Sequence, residues 1–186
     1  MNKLWAIAVI TYKEGMRNRA LYGIAIFTLL LLAANQVICS MILRDVGKVA
    51  VDLALSSIAF AGLLVVLFVG INLMAKDLDR KTIYMVLSRP ISRAQYLIGK
   101  FIGLTLIIVV SMALLGCGAL LSIFLTKMTY PTFFPQFSWS AVLITMFFST
   151  LMLILLAALS FVFASFASNS FVTLVLTVAT YLIGQI

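Results

Sequence analysis

Residues 101–126 read FIGLTLIIVVSMALLGCGALLSIFLT, 26 positions without a charged side chain. Roughly 20 apolar residues cross the hydrocarbon core of a bilayer as a helix, so this stretch alone is long enough. Residues 20–43 are uncharged for 24 positions and residues 53–75 for 23. From Met128 to Ile186 no charge occurs at all, which is too long for one crossing. Pro131 and Pro135, with Thr, Gln and Ser around them, mark a loop, and the serines and Asn169 of Ala164–Ser170 mark a tight turn. The predicted spans are 20–43, 53–75, 101–126, 139–163 and 171–186. Composition agrees: 65% of the 186 residues are hydrophobic and 10% charged. Soluble domains run near about 45–50% apolar and about 25% charged.

The same composition excludes several classes of function. The chain has no histidine, one glutamate and two cysteines, which removes His-based acid–base catalysis, His-ligated metal and a disulfide framework. Cys39 and Cys117 sit inside apolar runs without Cys-x-x-Cys spacing and read as small buried residues. The net charge of +8 does not point to nucleic acid, because the basic residues flank apolar runs rather than share one surface. A secretory leader is not expected at the N-terminus, because its apolar run, Leu4–Ile10, is short and is followed by Lys13, Glu14, Arg17 and Arg19.

Lys and Arg also set the expected orientation. Lys3, Lys13, Arg17 and Arg19 lie before the first span, and Lys76, Arg80, Lys81, Arg89, Arg93 and Lys100 lie between the second and third. Only Arg44, Lys48 and Lys127 fall on the other side, so the N-terminus and the 76–100 loop are expected in the cytoplasm. Tyr130, Phe133, Phe134, Phe137 and Trp139 would form an outer aromatic belt, with Trp5, Tyr12 and Tyr96 near the inner one.

Two cytoplasmic segments carry further pattern. In residues 2–19, Trp5, Ala8, Val9, Tyr12 and Met16 share one helical stripe with Lys3, Lys13 and Arg17 opposite. That predicts an amphipathic helix in the membrane interface, with Trp5, Tyr12, Arg17 and Arg19 as its anchors and lipid as its partner. In the loop, Asp79 is a candidate N-cap for a short helix on which Ile83, Val86 and Leu87 share a face. Pro90 stops it, and Ser92-Arg-Ala-Gln95 fits a capping box that opens a second helix running into the third span. An apolar face on a cytoplasmic helix must bury against headgroups or protein; its charged neighbours favour protein.

The run from Asp77 to Lys100, DLDRKTIYMVLSRPISRAQYLIGK, resembles the signature loop of ABC-2-type transporter permeases. Residues 10–22, ITYKEGMRNRALY, resemble the N-terminal interfacial helix of the same family, nearest the branch linked to maturation of multicopper enzymes such as nitrous oxide reductase. Lys81 stands where that family usually has glycine. The resemblance implies a single permease domain over residues 1–186, with a sixth span expected but missing. It also implies a cytoplasmic coupling helix made by Asp77, Asp79, Thr82, Ile83, Val86, Leu87, Arg89 and Pro90. Its partners would be a cytoplasmic ABC ATPase and a second permease chain, identical or related.

Chemistry inside the spans is sparse. No Asp, Glu, Lys or Arg falls within them, so a proton relay of buried carboxylates is lacking, and no base stands near a nucleophile for hydrolysis. No Gly-x-x-x-x-Gly-Lys loop occurs either. The chain is therefore expected to be no enzyme and to hold no cofactor or metal, with ATP and Mg on the partner. Asn35, Gln36 and Asn72 are the strongest polar positions in the spans and are expected either to bond between helices or to line a pathway. Gly99-x-x-x-Gly103 is a candidate close-packing site. The expected fold is an all-α polytopic membrane helix bundle with an interfacial helix and a coupling helix between spans two and three. The expected function is the permease subunit of an ATP-driven transporter in a bacterial or archaeal inner membrane. A membrane scaffold or assembly factor without transport, and an ion-driven carrier, are the alternatives.

Overall fold

The computed structural model describes residues 3–42, 45–73, 93–133, 137–167 and 169–184. Within them every regular element is helical: α1 (Lys3–Met16), α2 (Arg19–Met41), α3 (Val46–Leu73), α4 (Arg93–Thr129), α5 (Trp139–Phe166) and α6 (Ser170–Ile183). A short 3-10 turn, Pro131–Phe133, follows α4. Four of the helices, α2 to α5, are long and apolar enough to cross a membrane. At 14 residues α6 is about 21 Å long, shorter than a bilayer core of about 30 Å.

Helix limits differ from the uncharged runs for a simple reason: backbone hydrogen bonding continues past the edge of the apolar stretch. Thus α3 starts at Val46 and carries Lys48 and Asp52, both exposed, on its first turns. Asp45 precedes it in the left-handed region at φ 57°, which acidic side chains tolerate, and its carbonyl accepts from Lys48 and Val49. Between α1 and α2 the chain turns at Asn18, whose side-chain oxygen accepts from Ala20 N at 3.0 Å and caps α2. The helix that enters the third span likewise begins early, at Arg93, and α4 is 37 residues long, about 55 Å. That exceeds the bilayer core by about 25 Å.

α3 is the central helix. Of its most apolar stretch 61% is buried, against 22% for α5. Ala50, Ala54, Ile58, Ala61 and Val65 follow one another along a seam at near-helical spacing and are all at most 1% exposed. Small residues let neighbouring backbones come close, which is how helices associate where lipid supplies no hydrophobic drive. Against this seam pack Leu32 and Cys39 of α2, Leu104, Ile108 and Met112 of α4, and Leu153 and Ala157 of α5. The C-terminal half of α3 is not regular: Val65–Gly70 forms a π turn. At its start Val65 N–H is shared between Ala61 O and Gly62 O.

Candidate functional site

Asp77, Asp79, Thr82, Ile83, Val86, Leu87, Arg89 and Pro90 lie outside the described residues. The two helices that flank them are described, and Lys100 links them. Its Nζ donates to Leu73 O at 2.8 Å, so a residue on the second turn of α4 is tied to the last described residue of α3. The ammonium also lies 5.4 Å from the Tyr96 ring centroid. Lys100 is only 5% exposed. A buried cation needs such partners, since taking an unpaired charge out of water is costly. Counting Lys100 merely as a loop charge missed this; the signal available was its place one residue after Gly99, a residue packed against α1.

α1 packs along this end of α4. The buried stripe of α1 is Ala8, Thr11 and Gly15, displaced from the apolar stripe that begins at Trp5. On the facing side a Cβ built on Gly103 would lie 2.6 Å from Thr11 Cβ and 2.8 Å from Ala8 O. One built on Gly99 would lie 2.9 Å from Ile7 Cβ, and one on Gly15 would overlap Ile107. Gly99-x-x-x-Gly103 is thus a groove that receives α1. Bulk, not hydrophobicity, chose the buried face, because only residues as small as Ala, Thr and Gly fit against backbone at this separation. Trp5 is left 53% exposed, Tyr12 is partly buried against the core, and Arg17 and Arg19 are exposed.

Toward the opposite end of the bundle, Asn35 and Gln36 bond outward from α2 in two directions. Asn35 is 1% exposed; its Nδ2 donates to Ala50 O of α3 at 3.1 Å, and its Oδ1 accepts from Cys39 Sγ at 3.4 Å. Gln36 Nε2 donates to Ser122 O at 2.8 Å and Ser122 Oγ at 3.1 Å, and Thr126 Oγ1 donates to Gln36 Oε1 at 3.2 Å. Together they latch α2 to α3 and to α4 with hydrogen bonds that neither water nor lipid supplies there. Asn72 differs. It is exposed, and its Nδ2 donates within its own helix to Phe68 O, a carbonyl of the π turn.

Ser111 is the one buried side chain among the described residues whose polar atom has no partner. It borders a cavity of about 40 Å³ between α2, α3 and α4, with Leu21, Ile24, Val65 and Leu115 among its walls. Among the described residues no three Cys, Asp or Glu side chains gather where a metal ion would be held. At the end of α4, Lys127 Nζ lies 5.0 Å from the Phe137 ring and 5.6 Å from that of Trp139, which places a cation inside an aromatic cluster.

A helical bundle with four apolar crossings, interhelical polar latches and a groove-packed N-terminal helix is an integral membrane protein. The chain belongs to the ABC-2 family of transporter proteins: the family model described as ABC-2 family transporter protein matches residues 5–186. It is also 27% identical over 125 residues to a protein of Stutzerimonas stutzeri named as a probable ABC transporter permease protein, NosY. That match takes in 64% of this chain and 45% of the relative, so the chain spans about half the relative's length or less in shared sequence.

Proposed function

We propose that the chain is the membrane-spanning permease part of an ATP-driven transporter, energised by a separate cytoplasmic ATPase and paired with a second permease chain. The family match across residues 5–186 carries this reading. The absence of any phosphate-binding loop from the sequence supports a partner as the source of energy. The relative from Stutzerimonas stutzeri supports it by its name as a permease. The N-terminus and residues 76–100 face the cytoplasm of a bacterial or archaeal inner membrane, in keeping with the excess of Lys and Arg there.

Residues 77–90 are the segment that meets the ATPase, with Ile83, Val86 and Leu87 as the docking face. ATP binding closes the ATPase dimer and displaces this segment. Because Lys100 ties α4 to Leu73, and because α1 is packed into the glycine groove of α4, the displacement reaches three helices at once. Such a unit is a rigid-body element of the kind that converts a local push into a change between two states. Chemistry stays on the partner; this chain moves helices.

The test is co-purification of the ATPase with wild-type and Val86→Asp permeases at equal membrane levels. A charge in a desolvated contact costs several kcal/mol, about 2–7 kcal/mol for polar groups in general, so recovery should fall by orders of magnitude. Equal recovery would show that this face does not dock the ATPase.

A further inference from the structure

The cleft between the end of α1 and the end of α3 has no role in the reading above. It has a volume of about 640 Å³ and is lined by Ile10, Lys13, Glu14, Arg17, Asn18, Asn72 and Leu73. Lys13 and Arg17 stand one helical turn apart, both exposed, and neither forms an ion pair with a described residue. Like charges at this spacing weaken a helix unless an anion joins them. Asn18 uses its side-chain oxygen to cap α2, which leaves its amide N–H groups as donors. Among the described residues that line it, Glu14 is the only carboxylate; it is half-buried and already engaged within the fold. Among the described lining residues the donors therefore outnumber the acceptors, and their net charge is positive.

Level and surroundings narrow the ligand. Arg17 lies two residues before α2 begins, and Asn72 and Leu73 are the last described residues of α3, so the cleft sits at the end of two crossings. That is the depth of lipid headgroups. Ile10, 65% exposed, sits one turn from Lys13 and Glu14 and offers an apolar edge beside the cations. We propose that this cleft binds the phosphate of an anionic phospholipid, with the guanidinium of Arg17, the ammonium of Lys13 and the Asn18 amide as its donors. An arginine fork suits two phosphate oxygens, and a lysine adds a point charge. Free phosphate shares this chemistry; the headgroup depth and the exposed Ile10 favour the lipid. Lipid held here would join the start of α2 to the end of α3, whatever the chain transports.

The 186-residue chain is reconstituted in vesicles of mixed phosphatidylcholine and phosphatidylglycerol, re-extracted in neutral detergent, and its retained lipids counted by native mass spectrometry. Wild-type protein should retain phosphatidylglycerol preferentially. The Lys13→Gln/Arg17→Gln variant should lose that preference by about thirtyfold, about fivefold to sixfold for each cation. Lys13→Arg keeps the charge and should retain the lipid, which separates loss of the site from loss of the fold. Lys127→Gln, at the far end of α4, should change nothing. Equal retention by wild type and the double variant overturns the proposal. Displacement of the lipid by inorganic phosphate as readily as by phosphatidylglycerol overturns the lipid assignment; resistance to phosphate supports it.

Discussion

Lys100 donates from Nζ to the carbonyl of Leu73 at 2.8 Å across 27 residues of sequence, joining the helix before residues 74–92 to the helix after them. The two helices are thus held together at one point, next to the segment proposed above to meet the ATPase. The consequences can be measured on single substitutions.

Lys100→Met preserves length and apolar stem but removes the charged donor. A hydrogen bond involving a charged group is worth about 1.5–3 kcal/mol, so the variant should lose stability on that scale. It should also let α3 and α4 separate at this end. Spin labels at Leu73 and Tyr96 would report a broader distance distribution than in the wild type. An unchanged distribution would mean that packing alone holds the two helices.

Gly103→Ala should detach α1. The new methyl would meet Thr11 Cβ at 2.6 Å and Ala8 O at 2.8 Å, and the second of these is backbone, which cannot rotate away. Overpacking of this kind costs about 1–3 kcal/mol. Gly23→Ala is the matched control, since a Cβ there meets nothing within 4 Å. It should be neutral or gain up to about 1 kcal/mol from helix propensity. Thermal unfolding in detergent, with proteolysis of residues 3–16 as the local readout, distinguishes the two.

Gln36→Leu should weaken the latch between α2 and α4. It removes both donors to Ser122 and the acceptor for Thr126. Interhelical hydrogen bonds in membranes average about 0.6 kcal/mol and reach about 1.7 kcal/mol, so a loss of about 1–2 kcal/mol in mixed-micelle unfolding is expected. Asn72→Ala should cost less, because that amide is exposed and bonds only within α3.

Ser111→Ala should stabilise the bundle. Ser111 is 5% exposed and its buried hydroxyl has no partner, so its removal relieves a desolvation cost of about 1 kcal/mol or more. The unfolding midpoint should rise. A fall would show that the hydroxyl has a partner in the membrane, with a water in the adjoining cavity as the natural one.

Cysteines placed at Lys48 or Lys127 should react with an impermeant reagent from outside intact cells, and one at Arg89 should not. Labelling at Arg89 would invert the orientation and move the coupling segment away from the ATPase.

Whether a segment crosses the bilayer depends on a sum of transfer free energies over about 20 consecutive residues, which is local and needs no tertiary partner. Hence the helices α2 to α5, the break at Asn169 and the charge asymmetry were legible in the chain, as was the family through its 77–100 loop. Gly99-x-x-x-Gly103 was legible as a candidate too, though not what fills it. What the sequence left open was pairing. Gln36 meets Ser122 across 86 residues, Lys100 meets Leu73 across 27, and Ala8, Thr11 and Gly15 turn inward where Trp5 does not. Each of these depends on how far apart two backbones settle and at what height, quantities set by the packing of all the helices together. In a solvent as apolar as the side chains themselves, hydrophobicity selects no partner; shape and the few polar groups do, and their fit exists only in the assembled bundle.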